Sequence, residues 1–181
     1  MEIIETELEG LLVIRPKIYK DERGYFFESF SQKEFVEKVG EVVFIQDNES
    51  SSSYGVLRGL HFQKPPFTQA KLVRIVSGKV MDVAVDIRRH SPTFGKHFSI
   101  ELSDENKLQL FIPHGFAHGF VVLSERAVCQ YKCDNYYAPN HAEGIKWDDE
   151  QLNIDWKLSL EEIVLSEKDK NNPTFEQSYK F

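Results

Sequence analysis

A two-residue hydrophobic period is the feature that most constrains the fold of this chain. Between residues 80 and 87, one face of the segment carries Met81, Val83, Val85 and Ile87. Because side chains of a β-strand point alternately to its two faces, this pattern predicts a strand rather than a helix. Shorter strands are predicted at Leu72–Val76, Phe98–Leu102, Phe120–Leu123 and Val128–Lys132. Turn residues separate these segments, which favours an antiparallel sandwich or barrel.

Helical signals are few. Ser31 and Glu34 have the spacing of a capping box, and Gly40 suits a helix end after Val39, so one helix is predicted from Ser31 to Val39. A weaker helical pattern covers residues 160–165. The sequence therefore predicts a mainly β protein with a few short helices.

No repeat or linker divides the 181 residues, so we expect a single domain, 1–181, with a loop-rich C-terminal tail. The four serines from Ser50 to Ser53 are predicted to form a surface loop. Cys129 and Cys133 lie four residues apart on a predicted strand, where their Cα atoms would be roughly 13 Å apart, too far for a disulfide. Both thiols are expected to be packing residues.

The charge balance limits the partners. Lysine and arginine number 22 against 29 acidic residues, giving a net charge of −7. Binders of nucleic acid or of anionic membranes need an excess of positive charge, so neither partner is expected. The apolar runs are only strand-sized and the N-terminus is charged, unlike a membrane span or a signal peptide. We therefore expect a cytoplasmic protein.

Two stretches combine histidine with glycine in an apolar setting: R-G-L-H-F-Q from Arg58 to Gln63, and P-H-G-F-A-H-G-F from Pro113 to Phe120. A buried histidine is costly unless it has a polar partner or a task. Glycine allows close approach to the backbone. These two stretches are predicted to form the walls of a binding cavity.

The second stretch resembles the second cupin motif, P-x-G-x-x-H, with Pro113, Gly115 and His118. The first cupin motif should supply a second histidine two residues after His61, followed shortly by a glutamate, but Gln63 stands there and no acid follows before Met81. Two of the four metal ligands are absent, whereas a catalytic metal normally has at least three protein ligands. A metal-free cupin, an antiparallel β-sandwich or jelly roll, is the resulting prediction.

The whole chain resembles the dTDP-4-dehydrorhamnose 3,5-epimerase family. The matching segments are Asp21–Phe26, Gln46–Asn48, Gly55–Gln63, Lys71–Arg74, Phe111–Phe120, Tyr131–Cys133 and Ser166–Asp169. The resemblance implies a dTDP-linked 4-keto-6-deoxyhexose as substrate, inverted at the two carbons that flank the ketone, on the route to dTDP-L-rhamnose. It implies no cofactor, because the existing ketone acidifies both C–H bonds.

The resemblance also implies four catalytic roles. His61 is the base, and Asp169 fixes its tautomer and stabilises its imidazolium. Tyr131 is the acid, and a nearby cation is expected to lower the pKa of its phenol. Lys71 is the cation for the developing oxyanion.

Substrate-binding residues follow from the same resemblance. Arg23 and Arg58 suit the pyrophosphate, because guanidinium groups bind phosphate oxygens in pairs. Either Phe26 or Tyr137 could stack on the base. The remaining expected contacts to nucleotide and sugar are Glu28, Gln46, Asp47, Asn48, Lys71, His118, Glu143 and Lys168.

One geometric conflict produces a further prediction. Arg58 and His61 have opposite parity, so a regular strand would point them to opposite faces. Gly59 lies between them and is the natural position for a β-bulge or sharp twist that turns both toward one cavity.

Two alternatives stay open. One is a related sugar-nucleotide cupin that acts at a single carbon, as a 3- or 5-epimerase or a ketoisomerase. The other is a non-catalytic binding module or a metal-dependent cupin. Cupins of this kind are commonly homodimers, so we expect a homodimer in which the N-terminal strands around residues 11–18 extend the partner's sheet.

Overall fold

The computed structural model describes residues 1–181. The strands in chain order are β1 (Glu2–Glu5), β2 (Leu12–Arg15), β3 (Ile18–Asp21), β4 (Gly24–Phe27), β5 (Gln46–Ser53), β6 (Leu57–Gln63), β7 (Lys71–Ser77), β8 (Lys79–Asp86), β9 (His97–Ser103), β10 (Gln109–Ile112), β11 (Phe116–Val122), β12 (Arg126–Cys133) and β13 (Ala142–Gly144). The helices are α1 (Gln32–Lys38), α2 (Glu167–Lys170) and a 3-10 turn, Pro139–His141.

The strands form two antiparallel sheets and a separate hairpin. The first sheet has the order β1-β2-β10-β7-β12-β5, the second has β13-β6-β11-β8-β9, and β3 pairs with β4. A cluster of 15 buried residues draws on both sheets, including Val73 and Cys129 from the first and Val80, Ala84 and Phe120 from the second. This sandwich confirms the predicted cupin-type, mainly β fold.

Strand β8 is covered on both faces. Val80 and Ala84 join the core between the sheets, while Met81, Val83 and Val85 enter a second cluster of 13 buried residues. The outer cluster is completed by residues beyond β13, namely Ile145, Leu152, Trp156 and Phe175. The C-terminal segment is poor in regular structure, as predicted, but it packs against the outer face of the second sheet.

The helix predicted from residue 31 is α1, with Ser31 as its N-cap accepting a hydrogen bond from the Glu34 amide. The capping box is only half formed, because the Glu34 carboxylate binds the Met1 amine and Lys38 instead of returning to Ser31.

Two other local predictions need correction. The Ser50–Ser53 segment belongs to edge strand β5 rather than to a loop. Its backbone pairs with β12, and its small side chains alternate between more and less exposed positions. Residues 160–165 are not helical, since Val164 forms a parallel bridge with Val56. Within the C-terminal tail, Glu167–Lys170 form the short helix α2, which Ser166 caps. Cys129 and Cys133 are free and buried, as predicted.

The predicted irregularity at Gly59 is present. Between β6 and β11, His61 pairs with His118, but Arg58 pairs with Phe120, so β6 holds one extra residue. Gly59 has a φ of +132°, and a Cβ added there would lie 2.5 Å from the Cα of Gly119. Glycine is therefore required at this position both by its backbone conformation and by the close approach of β11.

We expect Gly59→Ala to lower the free energy of unfolding by at least about 2 kcal/mol more than Gly40→Ala does. Gly40 is a matched control because its φ is +141° but an added Cβ would meet no atom within 4 Å. Urea denaturation of both variants and the wild type measures the difference. Equal losses would show that the contact with Gly119 can relax.

Candidate active site

A cavity of about 370 Å³ opens between the two sheets. Strands β6 and β11 of the second sheet supply Leu57, Arg58, His61, His118 and Phe120, and strands β7, β12 and β5 of the first sheet supply Lys71, Tyr131 and Ser50. The C-terminal segment closes one side with Val164, Leu165, Ser166, Lys168 and Asp169, beside Val56. Arg58 and His61 thus share one cavity, as the predicted bulge requires.

His61 and Asp169 form a close pair. The Nε2–H of His61 donates to Oδ1 of Asp169 at 2.5 Å. Burial would raise the pKa of Asp169, but hydrogen bonds from His61 and the Ser166 hydroxyl, together with the nearby Gly59 amide, hold the pKa below its ordinary value. With Nε2 occupied, Nδ1 of His61 is the ring nitrogen left to accept a proton.

A second histidine–carboxylate pair lies deeper in the cavity wall. Nε2 of His118 contacts the two carboxylate oxygens of Asp82 at 2.9 and 3.0 Å, and Asp82 is completely buried. Burial lowers the pKa of His118 despite the attraction of Asp82. Sequence reasoning missed Asp82 as a site residue, although two acids, Asp82 and Asp86, on one face of a largely apolar strand were a usable signal.

Lys71 and Tyr131 reach the cavity from the first sheet. Burial lowers the pKa of the Lys71 ammonium, with Cys133 and Asp82 opposing this effect. Burial also raises the pKa of the Tyr131 phenol, and Arg58 offsets only part of the rise. The expectation that a cation lowers the Tyr131 pKa is therefore wrong for the ligand-free protein, and Tyr131 is a neutral phenol at neutral pH.

The expected nucleotide-binding residues divide into two groups. Arg58, Lys71, His118 and Lys168 line the cavity, and the Arg58 Nε–H donates to the Ser52 hydroxyl at 3.0 Å. The residues outside the cavity lining are Arg23, Phe26, Glu28, Gln46, Asp47, Asn48 and Glu143.

Three of these outlying residues, Gln46, Asp47 and Asn48, lie on β5, which pairs with the strand that carries Tyr131. The amide of Gln46 donates to Asn48 at 3.0 Å, and Asn48 pairs across the sheet with Tyr131. Asp47 forms an ion pair with Lys132 at 2.8 Å. Glu143 lies outside the cavity lining and forms an ion pair with the ammonium of Lys64 at 2.6 Å.

The hairpin residues have no contact with the cavity of their own chain. Arg23 binds only Asp21, and its side chain is 85% exposed. Phe26 is 69% exposed on β4, and Glu28 follows that strand. Neither Phe26 nor Tyr137 is brought to the cavity as a stacking residue.

Gln63, at the position of an expected cupin ligand, is used to tie loops together. Its side chain donates to the carbonyl groups of Phe67 and Tyr136 and accepts from the Ala138 amide. No group of three or more histidine, cysteine, aspartate or glutamate side chains is arranged to hold a metal ion.

None of the helices has the length and apolar character needed to cross a membrane.

Comparison with known proteins agrees with this geometry. Residues 5–177 match the family described as dTDP-4-dehydrorhamnose 3,5-epimerase. The chain belongs to this family. An enzyme of that name from Shigella flexneri is 53% identical over 97% of this chain and 96% of its own length.

Two crystal structures of family members superpose closely on the chain. The 3,5-epimerase from Elizabethkingia anophelis has a TM-score of 0.95 and 52% identity, covering 99% of both chains. The dTDP-6-deoxy-D-glucose-3,5-epimerase from Legionella pneumophila, in complex with dTDP-4-keto-L-rhamnose, has a TM-score of 0.94 and 51% identity, covering 97% of this chain and 93% of its own. The similarity therefore extends over nearly the whole epimerase fold.

The buried His118 predicts a loss of stability in mild acid. Because its folded-state pKa is lowered, the unfolded chain binds the extra proton first, and stability falls as the pH drops below the unfolded value near 6.5. Replacing it by glutamine, whose amide can still donate to Asp82, should remove about 1 kcal/mol of the fall between pH 7.5 and 5.5.

Urea unfolding at the two pH values, at a fixed protein concentration, measures this fall. The exposed His90→Gln serves as the control and should retain the wild-type pH dependence. An unchanged fall in His118→Gln would place the acid-sensitive group elsewhere.

Proposed function

We propose that the protein epimerises dTDP-4-dehydro-6-deoxy-D-glucose at C3 and C5 to give dTDP-4-dehydro-L-rhamnose. The observation that carries this proposal is the opposition of His61 and Tyr131 across the cavity. His61 lies on β6 of the second sheet, whereas Tyr131 lies on β12 of the first. Inversion at a carbon needs a base on one face and a proton donor on the other, and the two sheets supply them.

His61 takes the proton from the carbon beside the ketone. Its Nδ1 is free to accept, and Asp169 stabilises the imidazolium that forms. The electron pair of the broken C–H bond moves into the enolate, so the ketone oxygen becomes the negatively charged atom.

Lys71 stabilises this oxyanion. Its ammonium forms no ion pair within the chain, although Asp82 is close enough to affect its pKa. A half-buried cation without a bound carboxylate is available to a developing negative charge, and the low dielectric of the cavity strengthens that interaction.

Tyr131 then returns a proton to the opposite face of the carbon. Burial keeps its phenol protonated, which is the state that a proton donor requires. The composition of the sugar is unchanged, since one proton leaves and one is added, and two such cycles invert C3 and C5.

The nucleotide diphosphate is the anionic part of the substrate, and Arg58 and Lys168 supply positive charge in the cavity lining. Because the protein has a net charge of −7, it does not attract anions in general, so these local cations must attract the diphosphate. A cytoplasmic location, and the assignment of residues 1–181 to one domain, stay predictions.

Proton NMR of the substrate in deuterated water tests the proposal. The metal-stripped wild type should introduce deuterium at both C3 and C5. His61→Ala should slow both exchanges by about 10²- to 10⁴-fold, because the base is lost. Exchange at C3 or at C5 alone would indicate a single-carbon epimerase instead, and no exchange at either would indicate a binding protein.

Tyr131→Phe separates the two halves of the reaction in the same assay. The base is intact in this variant, so deuterium should still enter the sugar while formation of dTDP-4-dehydro-L-rhamnose falls sharply. Product formation at the wild-type rate would exclude Tyr131 as the acid.

We also propose a homodimer in which the β3–β4 hairpin reaches the partner's cavity. Its exposed side chains include Tyr19, Tyr25 and Phe26, an unusual number of large aromatic groups for a short hairpin. Arg23 and Glu28, which the family resemblance assigns to substrate binding, do not line the cavity of their own chain. Binding across a dimer would allow Arg23, Phe26 and Glu28 to contact the substrate in the partner's cavity, as the family resemblance implies.

Mixed dimers test this arrangement. Arg23→Ala and His61→Ala should each be nearly inactive, but in a mixed dimer one cavity would combine an intact Arg23 from one protomer with an intact His61 from the other. After unfolding and refolding a 1:1 mixture, about a quarter of the wild-type activity should return. Sedimentation checks the dimer, and an inactive mixture that sediments as a dimer would place Arg23 in its own chain's site.

A further inference from the structure

The second oxygen of the Asp169 carboxylate has a partner of its own. Oδ1 accepts from His61, while Oδ2 accepts from the Ser166 hydroxyl at 2.9 Å. Ser166 Oγ in turn accepts from the Asp169 amide at 3.1 Å, as the N-cap of α2. One hydroxyl therefore both begins the helix that carries Asp169 and binds its carboxylate.

The Gly59 amide lies near this carboxylate. It adds to the lowering of the Asp169 pKa by His61 and Ser166, so the bulge in β6 affects the carboxylate as well as turning His61 into the cavity. Asp169 is 3% exposed, which leaves its carboxylate dependent on protein donors rather than on solvent. Imidazole, hydroxyl and amide together share its negative charge.

The position of Ser166 is fixed by the segment that precedes it. Val164 donates to the Gly55 carbonyl and accepts from the Leu57 amide, which joins this segment to the start of β6. The Tyr54 hydroxyl donates to the Glu162 carboxylate at 2.7 Å in the same region. The Ser166 hydroxyl is thus held in place before any substrate binds, as a preorganised site requires.

We propose that Ser166 is a positioning residue that acts through Asp169 to set the proton affinity of His61. The inference rests on the proposed role of His61 as the base. A donor on Oδ2 withdraws charge from the carboxylate, which weakens the hold of Asp169 on an imidazolium. Without the hydroxyl, more of the carboxylate's charge would act on His61, the imidazolium would gain stability, and less of the neutral base would be present near neutral pH.

Other charged and titratable groups surround the His61–Asp169 pair. They are Arg58 on β6, Lys71 on β7, Asp82 on β8, His118 on β11, Tyr131 on β12, Lys168 on α2 and the exposed Glu162, Glu167 and Lys170.

NMR titration of the His61 imidazole in the substrate-free protein measures the effect directly, with the signal assigned by its absence in His61→Ala. In Ser166→Ala and Ser166→Gly the pKa of His61 should rise by about half a unit or more. Ser166→Thr keeps a hydroxyl and should titrate close to the wild type. Glycine is included because it caps a helix nearly as well as serine, whereas alanine does not.

The glycine variant separates the hydrogen bond from the cap. If Ser166 only begins α2, the alanine variant will lose stability but neither variant will shift the titration, and the proposal is overturned. If the shift is present, the acid limb of the pH profile of deuterium exchange should move to higher pH by the same amount. A shifted titration in a protein that exchanges no deuterium would contradict the epimerase assignment and leave the role of Ser166 standing.

Discussion

The close approach of β6 and β11 at Gly59 and Gly119 is the constraint on which the cavity depends. A Cβ on Gly59 would lie 2.5 Å from the Gly119 backbone, so only glycine lets β6 carry its extra residue there. That residue turns Arg58 and His61 into the same cavity and directs the Gly59 amide to Asp169. The bulge therefore links the second sheet to the C-terminal segment that supplies the carboxylate.

Burial gives the two walls of the cavity different acid–base properties. On the second sheet, each histidine binds a carboxylate, but the less exposed His118 is kept neutral while His61 has a free Nδ1 open to the cavity. On the first sheet, burial favours the uncharged phenol of Tyr131 and weakens proton binding by Lys71. An anionic substrate would oppose the effect of burial on Lys71, since a nearby negative charge raises the pKa of an ammonium. Lys71 is thus expected to bind its proton more tightly when substrate occupies the site.

The sequence was informative where local patterns decide structure. Alternation identified β8, a cap identified α1, and opposite parity identified the bulge, because each depends on neighbouring residues. It was less informative where distant contacts decide. Strand β5 has a polar, serine-rich sequence, and its extended backbone pairs with the distant β12. The partner of the buried Asp82 is His118, which lies 36 residues away in the sequence. The raised pKa of Tyr131 likewise depends on burial by the whole cavity.

The proposed dimer accounts for the separation between the hairpin residues and the groups proposed for proton transfer. The groups proposed for proton transfer come from β6, β7, β12 and α2, which are held together by the core and by hydrogen bonds within the chain. The cation and aromatic groups of the hairpin are exposed, and Arg23 has only Asp21 as a partner. An exposed arginine paired with a neighbouring aspartate gains little from that contact, so transfer to a diphosphate costs little. Chemistry is therefore fixed within the protomer, whereas recognition of the nucleotide can be shared with a partner.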